Sequence, residues 1–166
     1  MARRAPGEGL SLNVTMTIRR GGVRDHSFVL DLGRRTLETS VPEHRKPSPQ
    51  ALESSYERLL DFAFDRPHVL LIAESALEPL GFVLLLDGLP DEVTLEPQAF
   101  VAYMAVEPQA RRQGIAAALL GAAEAEARAR GRTHVAMMVT EENDAARELY
   151  AQAGYFTERR LLCKIL

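Results

Sequence analysis

The strongest constraint on this chain lies between Phe100 and Leu120. There an apolar run, Phe100-Val101-Ala102-Tyr103-Met104-Ala105-Val106, is stopped by Glu107-Pro108 and followed by an Ala/Leu-rich stretch from Ile115. The first part predicts a buried strand and the second a helix, so a strand must feed a helix through a short basic loop. The first amides of such a helix have no intrahelical partner, and the helix dipole places partial positive charge at the same end. Gly114 leaves room for phosphate oxygens to approach the backbone, Ala116 is nearly as small, and Arg111 and Arg112 add full charges. The loop is therefore a candidate pyrophosphate cradle. It is not a P-loop, which would end in Gly-Lys-Ser/Thr. Nor is it a dinucleotide fingerprint, which needs three spaced glycines and an acidic residue roughly 20 positions on.

The hexapeptide Arg111-Arg112-Gln113-Gly114-Ile115-Ala116 resembles the Arg/Gln-x-x-Gly-x-Gly/Ala signature of the GNAT superfamily of acyl-CoA-dependent N-acetyltransferases, and it follows a Met-x-Val-x-Pro strand end at Met104, Val106 and Pro108. A second segment resembles the family's Asn-x-x-Ala-x-x-Leu-Tyr-x-x-x-Gly-Phe pattern at Asn143, Ala146, Leu149, Tyr150 and Gly154, with Tyr155 in place of the Phe. The likeness covers residues 66 to 166; the earlier part agrees in the order of its elements. It implies an α/β (by some schemes α+β) GNAT-like domain. That domain would have a mixed central sheet of six to seven strands, four flanking helices and a splayed parallel strand pair at the coenzyme cleft. Residues 1–12 then read as a flexible tail and 13–166 as the N-acetyltransferase domain.

The rest of the chain supplies the elements. Leu12, Val14, Met16 and Ile18 alternate with polar residues as in a half-buried strand, closed by Gly21-Gly22. Phe28, Val29, Leu32 and Thr36 or Leu37 follow helical spacing between about Val23 and Leu37, with Asp25 as a cap. Three prolines between Thr39 and Pro49 make a loop, and Ser48-Pro49 opens a second helix to about Phe64. His68–Ala73 and Leu80–Leu86 predict a hairpin of buried strands, and Gly88–Pro97 an acidic loop. A third helix is expected from Arg112 to Arg130. Pairs Glu124/Arg128 and Glu126/Arg130 support it, Gly131 stops it, and Gly121 is read as a close-packing position. A fifth strand, His134–Thr140, completes a right-handed parallel crossover. Asn143–Tyr155 is a fourth helix capped by Asn143. Only Phe156–Leu166 remain for a last strand where the family commonly has two, so the acceptor-side wall is expected to be truncated or completed by a second subunit in a homodimer.

Composition narrows the function. A length of 166 residues suits one domain with a sizeable core. The net charge of -3 disfavours a nucleic-acid binder. No apolar run suits a membrane span or signal peptide. The lone Cys163, read as filler in the last strand, excludes a disulfide framework and points to a reducing, cytoplasmic setting. His26, His44, His68 and His134 lack metal-ligand spacing, so no metal is expected.

The resemblance implies acetyl-CoA as co-substrate and an acyltransferase, GNAT-type, that moves an acetyl group to a primary amine on a small molecule or protein by direct attack. Backbone groups of Met104 and Val106 would bond the pantetheine arm as an added strand would. Arg111, Arg112, Gln113, Gly114, Ile115 and Ala116 would hold the pyrophosphate, and Asn143 would serve as helix cap, coenzyme contact or both. Tyr150 is the implied general acid. A phenol near pKa 10 protonating a thiolate whose acid is near 8.5 is uphill by only about 2 kcal/mol. Its alternative role is to pack its ring on the sheet. Glu107, Tyr103, Glu141 and Glu142 lie near the strand ends, and none of them is singled out as a base. A different class of function, a noncatalytic acyl-CoA-binding sensor or assembly module, would use the same cleft.

Overall fold

A computed structural model describes residues 16–76 and 78–166; the expected tail and the first residues of the first strand lie outside the described residues. The sheet has five strands in the order β1 (Thr17–Arg20), β2 (His68–Glu74), β3 (Pro79–Pro90), β4 (Pro97–Val106) and β5 (Val135–Met137). The first four pair antiparallel; β4 and β5 are parallel. Among the described residues four α-helices flank it: α1 (His26–Thr36), α2 (Pro49–Phe64), α3 (Ile115–Ala129) and α4 (Asp144–Gln152).

The continuous apolar runs of β2 and β3 are explained by burial on both faces. Val69, Leu71 and Ala73, with Val83 and Leu85, point to a core shared with Ile115, Leu119, Leu120, Ala123 and Ala127 of α3. Their neighbours Leu70 and Ile72, with Phe82, Leu84 and Leu86, point to a second core with Val29 and Leu32 of α1 and Tyr56, Leu60 and Ala63 of α2. On this second face Gly33 is indispensable. A Cβ there would stand 2.0 Å from the Tyr56 ring, whose hydroxyl donates to Val29 O at 2.8 Å. The two helices approach closely because one side chain is missing.

Several expectations change. The sheet has five strands among the described residues rather than six to seven, because residues 156–166 form no strand. Arg159 of that segment donates to both Asp91 oxygens, at 2.6 and 3.0 Å, and Asp91 also accepts from the amides of Val93 and Thr94. A segment pinned sideways to the β3–β4 turn does not run along the sheet. Cys163 is consequently exposed rather than a strand filler. Asp25 does not cap α1. It is buried in a bidentate ion pair with Arg19, at 2.8 and 2.9 Å, and accepts from the Gly22 amide. Gly121 packs against nothing: a Cβ added there meets open space. The third helix starts at Ile115 rather than Arg112, since Arg112 and Gly114 both have positive φ, 63° and 78°.

Candidate functional site

The site begins with a fault in β4. Leu84 pairs with Tyr103 but Leu85 pairs with Val101, which leaves Ala102 as an extra residue, a bulge that bends the strand. β5 follows β4 only at Ala99, Phe100 and Val101, opposite Val135, Ala136 and Met137; beyond the bulge the two diverge. The Glu107 amide donates to Leu80 O at 2.8 Å. By the alternation of an antiparallel ladder, Ala105 and Tyr103 then turn their backbone groups to β3, and Met104 and Val106 turn theirs to the gap. The side chain of Arg111 folds back on this strand end and donates to Val106 O at 3.4 Å.

At the head of the gap lies the loop. Gly114, in the left-handed region, is the N-terminal flanking residue of α3, and a Cβ at this position would have nothing within 4 Å. Ala118 N donates to Gly114 O at 3.0 Å, the first bond of the helix. The amides of Gly114, Ile115, Ala116 and Ala117 donate to no protein acceptor among the described residues. Free amides beside a helix N-terminus, with two guanidinium groups in the loop, are groups that could hold an anion. Gln113 is exposed and reaches back to Gln109 O at 3.5 Å.

On the far side of the gap stands α4. The Asn143 side chain caps it, accepting from Ala146 N at 3.2 Å, while its Nδ2 donates to Thr39 O at 3.3 Å. That bond ties α4 to the 3-10 turn Leu37–Ser40 after α1. Tyr150 borders the α3-side core together with Met104, Ala116, Met137 and Tyr155. Its hydroxyl has no hydrogen-bond partner among the described residues and is not sealed from solvent, whereas the Tyr155 hydroxyl is buried without one. Burial pushes the Tyr150 phenol above its ordinary pKa, so it carries its proton throughout the neutral range.

The four carboxylate and phenol groups near the strand ends separate cleanly. Glu107 is buried and accepts two hydrogen bonds from Arg35, at 2.7 and 2.9 Å, across 72 residues of sequence. The Tyr103 hydroxyl lies 3.3 Å from Thr36 Oγ1, and its ring sits tilted against Tyr56, centroids 4.9 Å apart. Glu141 and Glu142 are exposed, the former paired with Arg147 at 3.4 Å. The Arg35–Glu107 pair, the Tyr103–Thr36 contact and the Asn143–Thr39 tie join residues remote in sequence, and no local pattern announces them. Among the described residues no group of histidine, cysteine and carboxylate side chains could hold a metal ion, and no helix is long and apolar enough to cross a membrane.

Comparison with known proteins agrees with this geometry. No curated protein sequence matches the chain. Among solved structures it is similar to a protein of Pyrococcus furiosus assigned as an acetyl transferase, at 25% identity and a TM-score of 0.78 over 91% of this chain and 99% of the other. It is also similar to a GCN5-related N-acetyltransferase of Ralstonia eutropha JMP134, at 20% identity and 0.71 over 90% and 98%. A third is an acetyltransferase of Clostridium acetobutylicum solved with acetyl-CoA, at 20% identity and 0.64 over 90% and 96%. The model of the acetyltransferase (GNAT) family matches residues 35–155, which takes in α2, the whole of β2–β5 and both signature segments. With the bulged strand, the open loop and the tyrosine helix arranged around one gap, the chain belongs to the GNAT acetyltransferase family.

Proposed function

We infer that the protein transfers an acetyl group from acetyl-CoA to a primary amine by direct attack. The observation that carries this reading is the gap itself. Two backbone positions of β4 turn to an edge that β5 has left, and four free amides stand at its head beside an unobstructed Gly114. An extended amide-bearing arm ending in a diphosphate would satisfy the free members of both sets; Val106 O already has the long bond from Arg111.

When bound, acetyl-CoA supplies a thioester carbon open to attack by an amine. The chain supplies the surroundings. The edge of Met104 and Val106 orients the arm, and a β4 amide facing the gap is placed to donate to oxygen as charge develops on it. Arg111, Arg112 and the amides from Gly114 to Ala117 hold the diphosphate, with Gln113 in the same loop. Asn143 contributes by capping α4 and fixing it to Thr39, which sets where Tyr150 stands. The Tyr150 hydroxyl, unpaired and protonated at neutral pH, donates its proton to the sulfur as the C–S bond breaks, and the proton shed by the attacking nitrogen restores the phenol through solvent.

Glu107 is engaged by Arg35, so it acts as an anchor between α1 and the end of β4 rather than as a base. An amine that reaches the gap already neutral needs no base from the protein. An α-amine, about one-tenth free at pH 7, meets this condition far more often than a lysine.

A noncatalytic acyl-CoA-binding module would need the gap but not the free hydroxyl of Tyr150, which favours the enzyme. The test is thiol release from acetyl-CoA with a panel of amines. Turnover is expected; a folded protein that binds coenzyme A yet releases no thiol with any amine would refute the enzymatic reading.

A further inference from the structure

The chain carries a net charge of -3, and most of its arginines are matched to carboxylates. Arg19, Arg20, Arg34, Arg35, Arg128, Arg130, Arg132, Arg147 and Arg159 all sit in ion pairs. The unpaired cations are therefore informative: among the described residues, apart from Arg66, which lies over the Phe62 ring, and Arg160, they gather in two places. One is Arg111 and Arg112 in the coenzyme loop. The other is a groove of about 760 Å³ between the loop after α1, the first turns of α2 and the C-terminal segment, lined by Arg45, Lys46, Arg58 and Lys164 with His44. None of these four cations forms an ion pair; Arg45 touches only Cys163 Sγ, at 4.0 Å. No carboxylate lines the groove.

The groove adjoins the proposed reaction site without overlapping the coenzyme loop. Its inner rim is Ser40 and Val41, directly after Thr39, whose carbonyl accepts from Asn143 at the head of the Tyr150 helix. Three residues earlier, Thr36 meets Tyr103 of β4. An amine whose nitrogen reached the gap past Thr39 would leave its remainder beside four cations that form no ion pair. Such a field repels polycations and attracts anions.

We propose that this groove is the acceptor-binding site and that it selects amines carrying an anionic group, a carboxylate or phosphate, over polyamines. The proposal rests on the acetyl-transfer reading and names the acceptor class for it. Arg45 and Arg58 are the specificity-determining residues: they flank the groove from the loop and from α2, and both are exposed, so their replacement leaves the core intact.

Titration calorimetry at low salt on protein saturated with coenzyme A tests it without requiring turnover, using phosphoethanolamine, glutamate, ethanolamine and spermidine as probes. The two anionic amines are expected to bind more tightly than the other two. The double variant Arg45→Glu/Arg58→Glu should weaken them about tenfold while leaving coenzyme affinity unchanged, since exposed charge contacts are individually modest. Tighter binding of spermidine, unaltered binding in the variant, or a loss confined to coenzyme A would each overturn the assignment. Thiol release with the same amines is read separately. Selective binding of anionic amines without release would sink the acetyl-transfer reading and leave the groove's selectivity standing.

Discussion

At the scale of single residues, the account turns on Tyr150 and Gly114. Tyr150→Phe keeps the ring against the α3-side core and removes only the hydroxyl. The variant should lose about 100-fold in kcat, in the range typical of general acids, with the KM for acetyl-CoA unchanged. Because burial raises the phenol's pKa, the wild-type rate should not fall through its deprotonation until the pH exceeds about 10. Rate profiles against pH would check this. Gly114→Ala has room for its methyl but not the right backbone: a left-handed φ of 78° costs a non-glycine residue about 1 kcal/mol. A rise in the KM for acetyl-CoA with a small drop in melting temperature is expected. Both residues were legible in the sequence, because a glycine before an alanine-rich helix and a tyrosine in a spaced pattern are local signals. Arg112 was not. Its positive φ is set by the loop's closure, and nothing in an arginine's neighbours reports that.

Helices and strands were legible wherever their burial was regular. Ser48 caps α2 and accepts from Ala51 N at 3.2 Å, as the Ser-Pro pair predicts, and the two i,i+4 pairs of α3 form at 3.2 and 3.7 Å. The errors came where tertiary contacts override pattern. Gly121 reads as a packing position but is exposed in mid-helix, so Gly121→Ala should stabilise the protein by about 1 kcal/mol, measured by denaturant unfolding. Asp25 reads as a cap but is captured by Arg19, and residues 156–166 read as a strand but are pinned through Arg159 to Asp91. Those carboxylates, with Asp87 beside Arg132, are held below the ordinary carboxylate range mainly by their arginine hydrogen bonds. Their folded pKa values lie below the unfolded ones, so the stability they add is complete above about pH 4 and is lost as the pH falls through the folded values. Urea midpoints between pH 6 and 2 should therefore fall steeply for the wild type. Asp87→Asn should show a shallower acid decline.

At the scale of the whole molecule, the fold holds an open five-stranded sheet among the described residues, and inside it β4 outruns β5. The bulge at Ala102 and the shortness of β5 produce that opening, and neither is visible in the apolar runs that predicted both strands. An open edge of this kind links ligand binding to stability. Coenzyme A at 100 times its dissociation constant should add about 2.7 kcal/mol, read as a rise in melting temperature. Amide hydrogen exchange with and without coenzyme A tests the central claim most directly. The account predicts fast exchange at Met104, Val106 and Gly114 through Ala117 in the free protein, and strong protection of those amides in the complex. Slow exchange there before coenzyme is added, or protection that falls elsewhere and spares them, would contradict it.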